Sequence, residues 1–186
     1  MESALAWIGH LADWIGRFFP RLKIVPTTHG WVKFVRGSKV VSGKAGLVWY
    51  WPLVTELKIY PTARASINLK AQTLTTSEPD PATILVEAMI VYAIEDIEKI
   101  AAYTWEPDET IADISISGVH EVISALSWDD IRQQSQRQPR ARGSVLDSKL
   151  KAELVSMLAD YGVKVITVTL TNLAKCRVIK LVNSQD

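Results

Sequence analysis

Apolar residues recur at helical spacing from the start of the chain to Pro20. At about 100° per residue, Ala4, Trp7, Ile8, Leu11, Trp14, Ile15, Phe18 and Phe19 fall on one half of the helical circumference. Glu2, Ser3, Gly9, His10, Asp13 and Arg17 take the other half. The pattern predicts an amphipathic helix over residues 1–20, ended by Pro20, with an apolar face that needs a cover. A membrane span needs roughly 20 nearly uninterrupted apolar residues, and Glu2, His10, Asp13 and Arg17 break this run. A cleaved secretory signal wants a positive start, and this chain opens Met1-Glu2-Ser3. Two covers remain, a bilayer interface or another protein surface. The polar half has few Lys or Arg, so attachment to lipid through this helix would rest on apolar burial and not on charge.

Beyond Pro20 the period shortens. Trp31 to Arg36 reads as a strand, Gly37-Ser38 as a turn, and Gly43 with Gly46 brackets a second turn before the apolar run Leu47 to Trp51, which Pro52 ends. Leu57 to Tyr60, Ser66 to Leu74 and Ile84 to Ile94 follow as strands, the middle ones alternating like half-buried sheet. Ser77 to Pro81 is a loop rich in proline and acid.

The second half is helical. Ile97, Ile100, Ala101 and Tyr103 fit a short amphipathic helix. Asp108 is expected to cap a longer one that turns Ile111, Ile114, Val119, Val122, Ile123 and Leu126 inward. Ser127-Trp128-Asp129-Asp130 resembles a capping box, with Asp in place of Glu, for a brief helix containing Ile131. Ser144 caps a helix bearing Leu146, Leu150, Leu154, Met157, Leu158 and Tyr161, and Gly162 stops it. Val163 to Leu170 alternates as a final strand. Strands first, helices later and one returning strand make an α+β arrangement.

Composition narrows the class. With 186 residues, 48% of them hydrophobic and 22% charged, the chain buries a core of its own and does not read as disordered. A formal charge of +1 gives no overall pull toward nucleic acid. The single cysteine, Cys176, forms no internal disulfide, which fits a reducing cytoplasmic setting.

Five motifs stand in an order that resembles the band-7 domain, the SPFH family of stomatin, prohibitin and flotillin. Gly46-Leu47-Val48-Trp49-Tyr50-Trp51-Pro52-Leu53-Val54, preceded by Val35-Arg36-Gly37 and Gly43, looks like the glycine, aromatic and proline signature that opens such domains. Ala71 to Thr76 is similar to the segment before the family's central strand. Val86 to Ile97, with Tyr92 and Glu95-Asp96, resembles that strand and its exit. Ser127 to Ile131 and Asp160 to Val165 match the motifs before and after the last helix. The resemblance spans roughly residues 25–175. It implies an SPFH/band-7-like fold with a mixed or antiparallel sheet and packed helices. It also implies a membrane-associated scaffold that forms homo-oligomeric rings or cages, without catalysis, cofactor or metal. Regulation of a membrane protein such as a protease is a further implied role.

Two features depart from the family pattern. Members continue into a long coiled coil, whereas this chain stops shortly after its last expected strand, so assembly is expected without that coil. The loop Gln133 to Gly143, with Arg137, Arg140 and Arg142 after Arg132 and no acid, is longer than the pattern. Arginine holds phosphate well, but nucleic-acid binding also wants stacking aromatics, and this loop has none. The loop is therefore read as solvated or as a contact to acidic lipid or an acidic neighbour in an oligomer, with Glu106, Asp108, Glu109 and Asp113 as acceptors.

Enzyme chemistry finds little footing. His10, His29 and His120 lack metal-ligand spacing, the glycines at 37, 43 and 46 match no phosphate or dinucleotide loop, and no nucleophile elbow is present. Glu106, Asp108 and Glu109 around Pro107 read as a solvated acidic turn. The expected organisation is a membrane-associating helix (1–20), an SPFH/band-7-like domain (21–175) and a C-terminal tail (176–186). Trp7, Ile8, Leu11, Trp14, Ile15, Phe18 and Phe19 are expected to contact a membrane surface from the cytoplasmic side, as a peripheral attachment. The alternative is a soluble structural subunit of a multi-chain particle, in which the same helix docks on a partner protein.

Overall fold

The computed structural model describes residues 16, 18–77, 81–136 and 143–176, and these form two compact units. The first takes its described residues from the stretch up to Ala63 and from Ile94–Thr104. The second takes them from Arg64–Ala93 and from Trp105 onward. The architecture is α+β, with antiparallel strand pairs and, among the described residues, four helices.

In the first unit, β2 (His29–Val35) lies between β3 (Lys39–Gly43) and β5 (Thr55–Pro61) in an antiparallel sheet. The turn from β2 to β3 takes two successive positive φ angles, 51° at Arg36 and 72° at Gly37, a conformation that suits glycine and strains arginine. One face of this sheet carries Gly30, Val32 and Tyr60, and helix α1 (Ile97–Tyr103) packs there. Asp96 caps α1, accepting from the Glu98 and Lys99 amides at 3.1 Å, and Ser42 Oγ donates to Glu98 at 2.6 Å. Gly30 is needed for this approach, because a Cβ there would run into Ile97 Cδ1. A two-stranded antiparallel ribbon, β1 (Arg21–Val25) with β4 (Gly46–Tyr50), completes the unit. Lys33, on the sheet face opposite Gly30 and Val32, donates from Nζ to the Trp49 carbonyl at 3.0 Å, so the ribbon lies on that side.

The second unit is built around β8 (Thr83–Ile94), whose alternate residues Ile84, Val86, Ala88, Ile90 and Tyr92 are buried. On one side β8 pairs with β6 (Ala65–Asn68) and β7 (Gln72–Thr75) in tandem, and it also pairs with β9 (Val163–Lys175). The sequence pattern predicts a single strand over Ser66 to Leu74. It is split because Leu69 turns into the core while its amide still bonds the Ala88 carbonyl at 2.8 Å, so the chain steps inward between the two pairings.

Helix α2 (Pro107–Ser124) buries Ile111, Ser115, Gly118, Val119 and Ile123, while Ile114, Val122 and Leu126 are only half-buried. Its cap is Glu106 and not Asp108: Pro107, whose fixed φ and missing N–H suit the first helical turn, starts the helix two residues earlier than expected. Helix α3 (Trp128–Ser135) starts at Ser127, whose Oγ accepts from the Asp130 amide at 3.2 Å, and buries Ile131. Helix α4 (Val145–Ala159) presents Leu146, Leu150, Leu154 and Leu158 inward, all fully buried. Its capping box is complete: Ser144 and Asp147 exchange amide-to-side-chain bonds of 2.9 and 3.0 Å. The other Asp147 oxygen accepts from the Leu170 amide at 3.0 Å, which pins β9 to this helix start. Helices α2 and α4 meet at Gly118, where a Cβ would stand 2.6 Å from Leu154 Cδ2. Gly162, at φ 73°, ends the helical half as the sequence predicts.

Candidate functional site

Strand alternation decides the chemistry of the β1–β4 ribbon. Directly paired residues share a face, so Leu22 with Trp49 and Ile24 with Leu47 form one side. Val25 and Val48 are on the other side, each 2% exposed, and cover the sheet beneath. The outward side does the opposite: Leu22 is 58%, Ile24 78%, Leu47 68% and Trp49 60% exposed. Four large apolar side chains therefore form a contiguous exposed patch, of the kind that marks a contact surface. Phe18, Phe19, Trp51, Leu53 and Val54 adjoin it in sequence and are also exposed. Complete burial of side chains of this type is worth roughly 1.5–3 kcal/mol each.

Polar groups lie around this apolar surface. Arg21 and Lys23 alternate with Leu22 and Ile24 along β1 and are exposed, as is Lys44 in the turn between β3 and β4. Lys33 sits under the ribbon, 4.9 Å from the Trp31 ring centroid, with its ammonium on the Trp49 carbonyl. Arg36 borders a cleft of about 430 Å³ whose other walls include Phe34, Tyr50, Pro52, Leu53 and Val54. The Arg36 amide donates to the Val54 carbonyl at 2.8 Å, holding that turn against the segment after β4. Glu56 also lines this cleft and pairs with Lys58 at 3.6 Å.

Of the residues expected to contact a membrane, Phe18 and Phe19 are described, both exposed and immediately before β1. Trp7, Ile8, Leu11, Trp14 and Ile15 lie outside the described residues, as do Arg137, Arg140 and Arg142. The outer face of the ribbon is absent from the sequence-based expectation. A strand over Arg21–Val25 is signalled only by the short alternation Arg-Leu-Lys-Ile-Val, and Gly46 to Tyr50 is apolar on both sides, so its pattern does not say which side faces out.

A second cleft, of about 460 Å³, lies in the other unit between Ile67–Lys70 and the first turns of α2, where Asp108, Glu109 and Asp113 line it. Tyr92 donates to Asp108 Oδ1 at 2.9 Å, and burial, followed by this bond and the Asp108 charge, pushes the phenol well above its usual range. Glu109 has its carboxyl pushed up, chiefly by a hydrogen bond with Glu106 and by that neighbour's charge, while Lys70 opposes the shift. The acidic turn expected around Pro107 is thus the solvent-facing start of α2. His29 and His120 are in separate settings, His29 Nδ1 lying 2.8 Å from Thr28 Oγ1 and His120 exposed on α2. Among the described residues no group of three or more His, Cys, Asp or Glu side chains is placed to hold a metal. No described helix is long and apolar enough to cross a membrane.

A family model described as SPFH domain / Band 7 family matches residues 23–179, a span that takes in every strand from β2 to β9 and all four described helices. No curated protein gives a significant match to the chain.

Proposed function

Because the chain belongs to the SPFH / Band 7 family, a family of membrane-associated, non-enzymatic scaffold proteins, we propose that it attaches peripherally to a membrane and works there as a homo-oligomeric scaffold. The observation that carries this reading is the outward apolar face of the ribbon, Leu22, Ile24, Leu47 and Trp49, adjoining Phe18 and Phe19 at the exit of the amphipathic sequence. A water-soluble unit gains nothing from four such side chains in solvent, whereas an interfacial layer that buries them repays the exposure. The attachment combines the amphipathic segment of residues 1–20 and the ribbon that follows it, on the cytoplasmic side. Subunits pack side by side into a ring or cage, in which the Arg137, Arg140 and Arg142 loop meets an acidic neighbour. Organising membrane proteins, a protease among them, is the role such an assembly would serve.

Co-sedimentation with phosphatidylcholine vesicles tests the attachment. The full chain is expected in the vesicle pellet. Replacing Trp14 and Phe18 by Asp is expected to weaken partition at least tenfold, and adding Leu47→Ser and Trp49→Ser to abolish it, since each side chain contributes roughly 1.5–3 kcal/mol when fully buried. A quadruple variant that sediments like the parent would sink the membrane reading and favour the soluble subunit with a protein-docked helix.

A further inference from the structure

The charge of this protein is distributed unevenly. The whole chain carries +1, yet residues 18–63 hold seven basic side chains (Arg21, Lys23, Lys33, Arg36, Lys39, Lys44 and Lys58) and one acid, Glu56, a balance of 7 − 1 = +6. Glu56 is occupied by Lys58 at 3.6 Å. Of the other described acids of the same unit, Asp96 and Glu98 belong to the cap and first turn of α1, on the sheet face turned away from the ribbon, and Glu95 precedes the cap. Lys58, paired with Val32, and Lys99 of α1 lie on the covered face together with Glu56, Asp96 and Glu98, whereas Arg21, Lys23, Lys33 and Lys44 accompany the ribbon with no described acid beside them in β1 to β4.

Resting on the membrane-attachment reading above, we propose that the ribbon surface selects anionic bilayers, its apolar face entering the interface while Arg21, Lys23, Lys44 and Arg36 engage lipid phosphates and carboxylates around it. The geometry fits that occupant in two ways. Arg21 and Lys23 alternate with Leu22 and Ile24 on the exposed strand β1 and so point away from the apolar face, and when that face is immersed their long stems can reach round the edge of β1 to bring the charged heads to headgroup level. Arg36 is held at a φ of 51°, a strained setting for a side-chain-bearing residue, beside the exposed Leu53 and Val54. That sets an exposed arginine on the wall of a cleft with a second apolar rim, and guanidinium binds phosphate oxygens bidentately. The amphipathic sequence of residues 1–20, poor in Lys and Arg among its polar positions, supplies no such preference, so the discrimination belongs to the strands.

The test is equilibrium partition of the full chain onto vesicles of phosphatidylcholine alone and of phosphatidylcholine with phosphatidylserine. Each basic residue held near an anionic surface strengthens binding by about fivefold, so the mixed vesicles are expected to bind at least a hundredfold more tightly, with the advantage shrinking as salt shortens the screening length. The variant Arg21→Gln, Lys23→Gln, Lys44→Gln is expected to lose about a hundredfold on mixed vesicles and to match the parent on phosphatidylcholine. That match also shows that the ribbon is intact. The single exposed-turn change Lys44→Glu is expected to lose at least tenfold on mixed vesicles alone. Equal partition of the parent onto both vesicle types would overturn the selectivity and leave attachment standing, whereas failure to bind either type would overturn attachment and the selectivity with it. Binding to a duplex DNA fragment as tight as to the mixed vesicles would overturn it too, by making the surface a general polyanion site.

Discussion

In β8 the alternating residues Ile84, Val86, Ala88, Ile90 and Tyr92 are sealed against their own unit, while in the β1–β4 ribbon the alternating residues Leu22, Ile24, Leu47 and Trp49 face outward. Both strand sets follow period two, and both put bulky apolar side chains on one side. What differs is the cover. In the second unit, α2 and α4 bring a continuous row of buried Ile, Val and Leu. In the first unit the only described helix, α1, packs on the sheet face opposite the ribbon. An apolar face is thus a structural fact only when something lies on it, and otherwise it is a surface with work to do.

Stability separates the two regions most strongly. Leu154→Ala, at a fully buried position packed on Gly118, is expected to cost about 2–5 kcal/mol, because the lost methyl groups leave a cavity between two helices that cannot close fully. Denaturant unfolding of the purified chain reads this directly. A cost below about 0.5 kcal/mol would mean that the second unit is not the packed core described here.

The same kind of truncation on the ribbon should behave oppositely. Leu47→Ser with Trp49→Ser is expected to change unfolding free energy by no more than about 0.5 kcal/mol per site, since these side chains are already largely in water. Loss of several kcal/mol in this double variant would show that the outer face packs within the protein, and would erase the contrast.

The smallest effect sits at the start of α2. Glu109 has a raised carboxyl pKa, so the folded state favours its protonated form; this contribution is present in acid and is lost as pH rises past the ordinary carboxylate range. Glu109→Gln keeps a donor for Glu106 and removes the repulsion. A small rise in Tm is expected at neutral pH, with none at acid pH where Glu109 already carries its proton. Thermal melts at the two pH values check the sign, and an unchanged or lower Tm at neutral pH would contradict the assigned cause.

Much of the fold was legible in local signals. Ser127 and Ser144 announce helix starts because a hydroxyl two or three residues before free amides is the cheapest way to satisfy them, and Gly162 announces a stop because it accepts positive φ without strain. The start of α2 differs from the sequence pattern by two residues, since Asp108 looks like a cap from sequence and instead accepts from Tyr92, sixteen positions away. The split between β6 and β7 is likewise hidden, because it depends on Leu69 turning into the core between two pairings with β8.

The candidate surface was legible only in part. The apolar periodicity of residues 1–20 points to a contact region at this end of the chain, most of which lies outside the described residues; Phe18 and Phe19, which are described, stand exposed in the turn that leads into β1. The ribbon was not legible, because Leu22 and Trp49 are twenty-seven positions apart and only the antiparallel register of β1 with β4 sets them side by side.

By itself, the sequence determined the α+β order of elements, the helix boundaries marked by caps and glycines, the four-leucine stripe of α4 and the concentration of positive charge in residues 18–63. These are set by forces acting over a few residues or by composition alone. Only the tertiary structure decided which side of each strand is covered, that the ribbon stands with Leu22, Ile24, Leu47 and Trp49 outward, and that the acids of α1 face away from it. The reason is that burial depends on the partner an alternating strand acquires at long range, and alternation records two faces without naming the one that meets solvent.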